Sequence, residues 1–129
     1  MRGSCHCGAL KYKAGAFVTP VTHCHCETCR KTQAAPFAST ARVRREDFEW
    51  IGDVSGKRTY ESTPGKFRHF CGTCGSQVMA EWPAQDTVIL RVATLDDTPE
   101  VTEFRHIWTS HDLAWLDYSD DLDRFDEVP

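Results

Sequence analysis

Hydrophobic and polar residues alternate with a period of two along most of this chain. Leu10 and Tyr12 alternate with Lys11 and Lys13 in residues 9–14, as in a half-buried strand. Residues 21–26 read as the next strand. Phe37, Ser39, Ala41 and Val43 alternate with Ala38, Thr40 and Arg42, which predicts a strand over 37–43. Residues 48–51 and 58–62 are shorter strands around a turn at 52–56. Pro64-Gly65 marks another turn, and residues 66–70 are extended beyond it. Residues 77–82 and 87–93 follow, the second run rich in β-branched side chains. The last alternating run, 101–108, sets Phe104, His106 and Trp108 on one face. The helical stretch is Glu27–Gln33, with Arg30 and Lys31 at its exposed end and Pro36 beyond. No long amphipathic helix, internal repeat or low-complexity linker breaks the pattern. The expected fold is mostly β with short helical turns.

At 129 residues the chain is most simply one domain, 1–129, with enough length for one core. Its apolar fraction of 40% is modest, and a core reinforced by metal suits that value. No apolar run approaches membrane-spanning length. Met1-Arg2-Gly3-Ser4-Cys5 lacks the apolar segment of a signal peptide, so a cytoplasmic location is expected. The formal charge of −4 concentrates in an acidic tail from about residue 117. There Asp117, Asp120, Asp121, Asp123, Asp126 and Glu127 oppose Arg124, a net of −5. Such a tail reads as a solvated terminus. Arg42-Val43-Arg44-Arg45 is the one dense basic run, and Glu46 and Asp47 follow it at once. It reads as a strand end, and no nucleic-acid partner is expected.

The seven cysteines carry the chemistry. A reducing compartment disfavours disulfides among them, and an odd count argues against full pairing. Cys71-Gly72-Thr73-Cys74-Gly75 is a zinc-knuckle pattern, because a tight turn aims backbone N–H groups at the sulfurs. It needs two further ligands. Residues 3–8 read as a tight loop in which alternation puts Cys5 and Cys7 on one side, so these two can provide them; the spacing also allows a swap, for example Cys5 and Cys7 pairing with Cys26 and Cys29. Any four-thiolate site leaves three cysteines over. In the first arrangement these are Cys24, Cys26 and Cys29. Cys24 and Cys26 point one way in an extended segment and His25 the other, and a short helix returns Cys29 toward them. Three thiolates on zinc leave a position for water or substrate, which is the pattern of a catalytic zinc. The alternative is a second structural zinc closed by a histidine, from His23, His25 or His69. Arg30 and Lys31, next to the motif, are candidates to offset the thiolate charge or to attract an anionic substrate.

The chain resembles the family of glutathione-dependent formaldehyde-activating enzymes, which also includes centromere protein V. The residues that carry the likeness are Gly3-Ser4-Cys5-His6-Cys7-Gly8-Ala9, Cys24-His25-Cys26-Glu27-Thr28-Cys29-Arg30-Lys31, Phe70-Cys71-Gly72-Thr73-Cys74-Gly75 and His106-Ile107-Trp108. Trp115-Leu116-Asp117 resembles the family's closing segment. The resemblance implies a zinc-dependent β-tent fold. It implies one structural Zn2+ on Cys5, Cys7, Cys71 and Cys74 and one catalytic-type Zn2+ on Cys24, Cys26 and Cys29. It also implies carbon–sulfur lyase chemistry on an adduct of a small thiol such as glutathione with a small aldehyde such as formaldehyde. Two other functions fit the same cysteines, a non-catalytic zinc scaffold and a thiol-redox or metal-handling protein. A filled coordination shell marks the scaffold, and reversible disulfide formation among Cys24, Cys26 and Cys29 marks the redox protein.

Overall fold

The structure is a computed structural model that describes residues 1–118 and 122–128. The acidic residues Asp120 and Asp121 lie outside the described residues. Among the described residues, ten strands form two sheets. The small sheet is antiparallel, in the order β1 (Arg2–Ser4), β2 (Lys11–Lys13), β5 (Glu49–Ile51). The large sheet contains β3 (Val21–Cys24), β4 (Ala38–Arg44), β6 (Lys57–Thr63), β7 (Lys66–Cys71), β8 (Gln77–Glu81), β9 (Thr87–Arg91) and β10 (Phe104–Ile107). Its order is β10-β3-β4-β9-β8-β7-β6, and only the β10–β3 pair is parallel. The mostly β expectation holds.

Burial follows position in the sheet. The central strands β8 and β9 bury Val78, Met79, Ala80, Val88, Ile89 and Leu90, so both faces are covered there. The edge strand β10 is exposed along its length. The main core joins Leu10, Tyr12 and Ala14 of the small-sheet side to Val43, Val78, Met79, Val88 and Leu90 of the large sheet. Phe48 and Trp50 pack onto it, with Tyr12 and Phe48 ring centroids 5.6 Å apart. Cys5 and Cys71 belong to this core.

The opposite face of the large sheet is set by register. Cys24 pairs with Ala38, Thr22 with Thr40, and Thr40 with Arg91. One step along, Arg42 pairs with Ile89, Ile89 with Ala80, and Ala80 with Arg68. Paired residues share a face. Cys24, Arg91 and Arg68 therefore look the same way, on the face that continues into helix α1 (Glu27–Gln33).

Several boundaries differ from the expectation. Residues 2–4 form β1, although the sequence around Gly3 reads as loop. Pairing with residues 11–13 makes this segment a strand, and Arg2 N donating to Asp97 at 2.7 Å and Ser4 Oγ bonding Asp96 at 2.8 Å add long-range partners. The strand expected over 101–108 shortens to Phe104–Ile107, and at its end Trp108 adopts a left-handed backbone with φ 62°. Trp108 thus leaves the face that Phe104 and His106 share.

Candidate metal centres

Local structure brings the cysteines into two groups. A register shift between His69 and Phe70 distorts β7 just before Cys71, and such bulges re-aim the residues that follow. The chain then turns through Gly75, whose φ of 77° suits glycine and whose N–H bonds Cys71 O at 2.9 Å. At the other end, Gly8 N bonds Cys5 O at 2.9 Å and tightens the first loop. Together these turns place the sulfurs of Cys5, Cys7, Cys71 and Cys74 within 4.8 Å of one another. Cys5 Sγ lies 3.6 Å from Cys7 Sγ, and Cys7 Sγ lies 3.7 Å from Cys71 Sγ. Four sulfurs about 2.3 Å from a tetrahedral zinc stand about 3.8 Å apart, so the donor set fits that metal.

Hydrogen bonding points the same way. Leu10 N–H reaches Cys5 Sγ at 3.2 Å. The N–H groups of Cys74 and Thr73 pull the Cys71 thiol below its ordinary range. Cys74 falls to about 5, first through the Ser76 hydroxyl and then through backbone N–H groups. Cys7 shows the cost of crowding. The Ala9 N–H draws it down, but the thiols of Cys5 and Cys74 push it up to about 11. A divalent cation among the sulfurs would remove that conflict by holding all of them deprotonated.

The second group is Cys24, Cys26 and Cys29, again with sulfurs within 4.8 Å of one another. Cys24 ends β3, and Cys26 caps α1 with φ −58° and ψ 149°. The first helical turn then carries Cys29 back beneath them. Glu27 in the first turn and Arg30 and Lys31 in the last complement the helix dipole. Ala34 ends the helix in a left-handed conformation. No His, Asp or Glu joins these sulfurs among the described residues.

The three candidate histidines all turn elsewhere. His23 Nδ1 meets Ser39 Oγ at 2.9 Å. His69 bonds Thr59 Oγ1 at 2.9 Å and Glu81 Oε1 at 2.7 Å on the core side of the sheet. His25 is fully buried. Its Nε2 meets His106 Nδ1 at 2.8 Å, and its Nδ1 faces the Asp112 carboxylate and the Tyr118 hydroxyl. Alternation in the chain places His25 opposite Cys24 and Cys26, as expected. His25 instead ties β10 and residues 112–118 to the back of the cysteine motif.

The three sulfurs sit in the wall of a cleft of about 600 Å³. Thr22, Thr40, Arg91, Lys66, Trp82 and Trp108 help to line it. Arg68 Nη2 lies 3.8 Å from Cys29 Sγ. Cys29 is held down, to about 4, first by the hydrogen bond from Cys24; burial opposes this, and Cys26 and the Arg68 guanidinium add to it. The Cys24 thiol rises correspondingly because it shares its proton with Cys29.

Arg30 and Lys31, the two cations next to the motif in sequence, do not face the sulfurs. Arg30 Nε donates to His25 O at 3.1 Å, and Arg30 and Lys31 line a separate hollow with Leu113 and Trp115. The cations beside the sulfurs are Arg68, Arg91 and Lys66. Each lies far from the motif in sequence and enters only through strand pairing. Alternation along 66–70 was the available signal, since it puts Lys66 and Arg68 on one face.

Comparison with known proteins follows the same pattern. A family model described as glutathione-dependent formaldehyde-activating enzyme matches residues 1–111. A Halomonas elongata protein named for glutathione-dependent formaldehyde activation is 26% identical over 128 residues, covering 91% of this chain and 80% of that one. An uncharacterized lyase of Schizosaccharomyces pombe is 30% identical over 74 residues, or 57% of this chain and 52% of that protein. A crystal structure of a Rhodobacter sphaeroides protein superposes with a TM-score of 0.68 at 22% identity, covering 82% of this chain and 99% of that one. That likeness establishes a shared fold. No helix among the described residues is long and apolar enough to cross a membrane.

Proposed function

Because the chain belongs to the family of glutathione-dependent formaldehyde-activating enzymes, we propose that it is a zinc-dependent carbon–sulfur lyase acting on an adduct of a small thiol, such as glutathione, with a small aldehyde. One observation supports this most directly. Cys24, Cys26 and Cys29 converge on one point of an open cleft, while His23, His25 and His69 are engaged elsewhere. In this reading those three cysteines hold the catalytic zinc. Cys5, Cys7, Cys71 and Cys74 hold a structural zinc, and residues 1–129 act as one unit. The free thiols suit a reducing compartment, so the cytoplasm is the proposed location.

Zinc held by Cys24, Cys26 and Cys29 would supply a Lewis acid that keeps an incoming thiol deprotonated near neutral pH. The chain's own residues do the rest. Arg68 partly balances the thiolate charge from within the sheet. Trp82, Ile107 and Trp108 wall the cleft with apolar surface and limit water around the reacting carbon. In the cleavage direction the carbon–sulfur electron pair leaves with sulfur. The hydroxyl oxygen becomes the carbonyl and gives its proton to water. The reverse step joins thiolate to aldehyde.

The test is metal stoichiometry combined with a thiol titration. Two equivalents of metal per chain are expected, one for each cysteine group. In cobalt-substituted protein, added glutathione or 2-mercaptoethanol should change the thiolate-to-metal absorption band. A band indifferent to every thiol, with metal still bound, would show a closed shell and leave a zinc scaffold.

A further inference from the structure

Arg91 closes β9 on the cleft face and is only 4% exposed. Its Nε and Nη2 have no hydrogen-bond partner among the described residues. Those two groups share one edge of the guanidinium, the fork that matches both oxygens of a carboxylate. Arg68, two strands away on the same face, is 2% exposed. It gives Nε to Ser62 Oγ at 2.8 Å and Nη2 to Cys29 Sγ at 3.8 Å, and its Nη1 is unpartnered.

The charges do not balance without a further anion. Three thiolates on a divalent metal leave a single negative charge, against two buried guanidiniums. Lys66 and Arg42, also lining the cleft, add further positive charge, although Arg42 Nη1 is already held by Gln85 and Thr87. The carboxylate among the lining residues is Glu27, exposed on α1. The ion pairs among the described residues join His25 to Asp112, Arg45 to Glu81 and His69 to Glu81, and none involves Arg68 or Arg91. A buried charge is retained where something pairs with it.

We propose that Arg91, supported by Arg68, is a carboxylate clamp, so that the adduct handled in this cleft carries a carboxylate close to its sulfur or its reacting carbon. This rests on the lyase reading above and narrows its substrate to anionic adducts. The carboxylate enters with the thiol or with the carbonyl compound. In both cases it docks on the Arg91 edge while sulfur faces Cys24, Cys26 and Cys29.

The experiment follows the Arg91 Nε–H resonance in zinc-loaded, nitrogen-15-labelled protein. Arg91→Lys assigns the signal by removing it; if that variant does not fold, through-bond correlation from the Arg91 backbone assigns it in the wild type. Mercaptoacetate is compared with 2-mercaptoethanol, and glyoxylate with formaldehyde, the latter pair in the presence of 2-mercaptoethanol. The resonance should move with at least one of the two acids and stay in place with the neutral partners. The acid that moves it identifies the source of the carboxylate. That acid should bind about tenfold more tightly than its neutral partner, the effect of one charge-assisted contact, and Arg91→Lys should abolish the preference. No movement with either acid, or equal movement with acids and neutral compounds, overturns the clamp. The lyase reading is judged separately by the response of the cobalt band to 2-mercaptoethanol, which carries no carboxylate.

Discussion

Replacing Cys74 with serine should destabilise the fold about twice as much as replacing Cys29. Cys7 and Cys71 meet across 64 residues of chain, and Cys74 completes their group. Cross-linking a loop of that size lowers the entropy of the denatured chain by about 4 kcal/mol. The group also sits in the main core beside Leu10, Tyr12 and Val78, so loss of a metal bound there would loosen packing as well. Cys24, Cys26 and Cys29 close only a short loop, for which the same relation gives about 2 kcal/mol. Their surroundings form a small cluster of their own with Ala38. A domain of this kind has a stability of about 5–15 kcal/mol. At 129 residues each kilocalorie shifts Tm by roughly 4 °C. Cys74→Ser should therefore lower Tm by about 16 °C or abolish the cooperative transition, and Cys29→Ser by about 8 °C. Circular dichroism melting with zinc present, alongside metal content per chain, measures both. Equal Tm losses, or a larger loss in Cys29→Ser, would refute the division between a structural and a catalytic group.

Two further outcomes follow from the small-sheet side of the core. A Cβ at Gly3 would lie 2.2 Å from Tyr12 Cζ and 2.6 Å from the Thr94 carbonyl oxygen. Gly3→Ala should thus push β1 off its neighbours and cost about 1–3 kcal/mol in thermal melts, whereas an unchanged Tm would mean that β1 does not pack there. Burial first, opposed by the Thr94 hydroxyl and aided by Asp96, raises the Tyr12 pKa to about 12. The folded state then keeps the Tyr12 proton longer than the unfolded one. Stability from this group is fully present below about pH 10 and is lost as pH rises through 12, by about 1.4 kcal/mol per pH unit. Denaturant titrations from pH 9 to 12 should show that slope in the wild type and a shallower one in Tyr12→Phe.

The alternating runs made the β class legible because each strand carries its own local signal. Leu10 and Tyr12 face the core as their spacing requires, and the Glu27–Gln33 helix ends where Arg30, Lys31 and Pro36 place it. The cysteine groups were legible for a related reason. Short spacings such as Cys24-His25-Cys26 fix side-chain direction within a few bonds, whatever the rest of the fold does. β1 was not legible, since Arg2-Gly3-Ser4 carries no alternating pattern of its own and becomes a strand only by pairing with residues 11–13, with Asp96 and Asp97 adding long-range bonds. Trp108 escaped as well, because alternation assumes an extended backbone and φ 62° breaks it.

The charge around the candidate site shows the same limit most clearly. Arg30 and Lys31 adjoin the motif in sequence, yet a helix end turns them to another surface. Arg68 and Arg91 reach the site only because β3, β4, β9, β8 and β7 lie side by side, a neighbour relation no local pattern encodes. Cysteine spacing therefore tells where a metal can sit, while the sheet order decides which charges a substrate meets there. If the order of strands were kept and Arg91 alone changed, the cysteine group should still take its metal and lose its choice between anionic and neutral substrates. On that proposal, metal affinity and substrate choice would be written in separate parts of the chain, the first in a six-residue motif and the second in the register of β9 against β4.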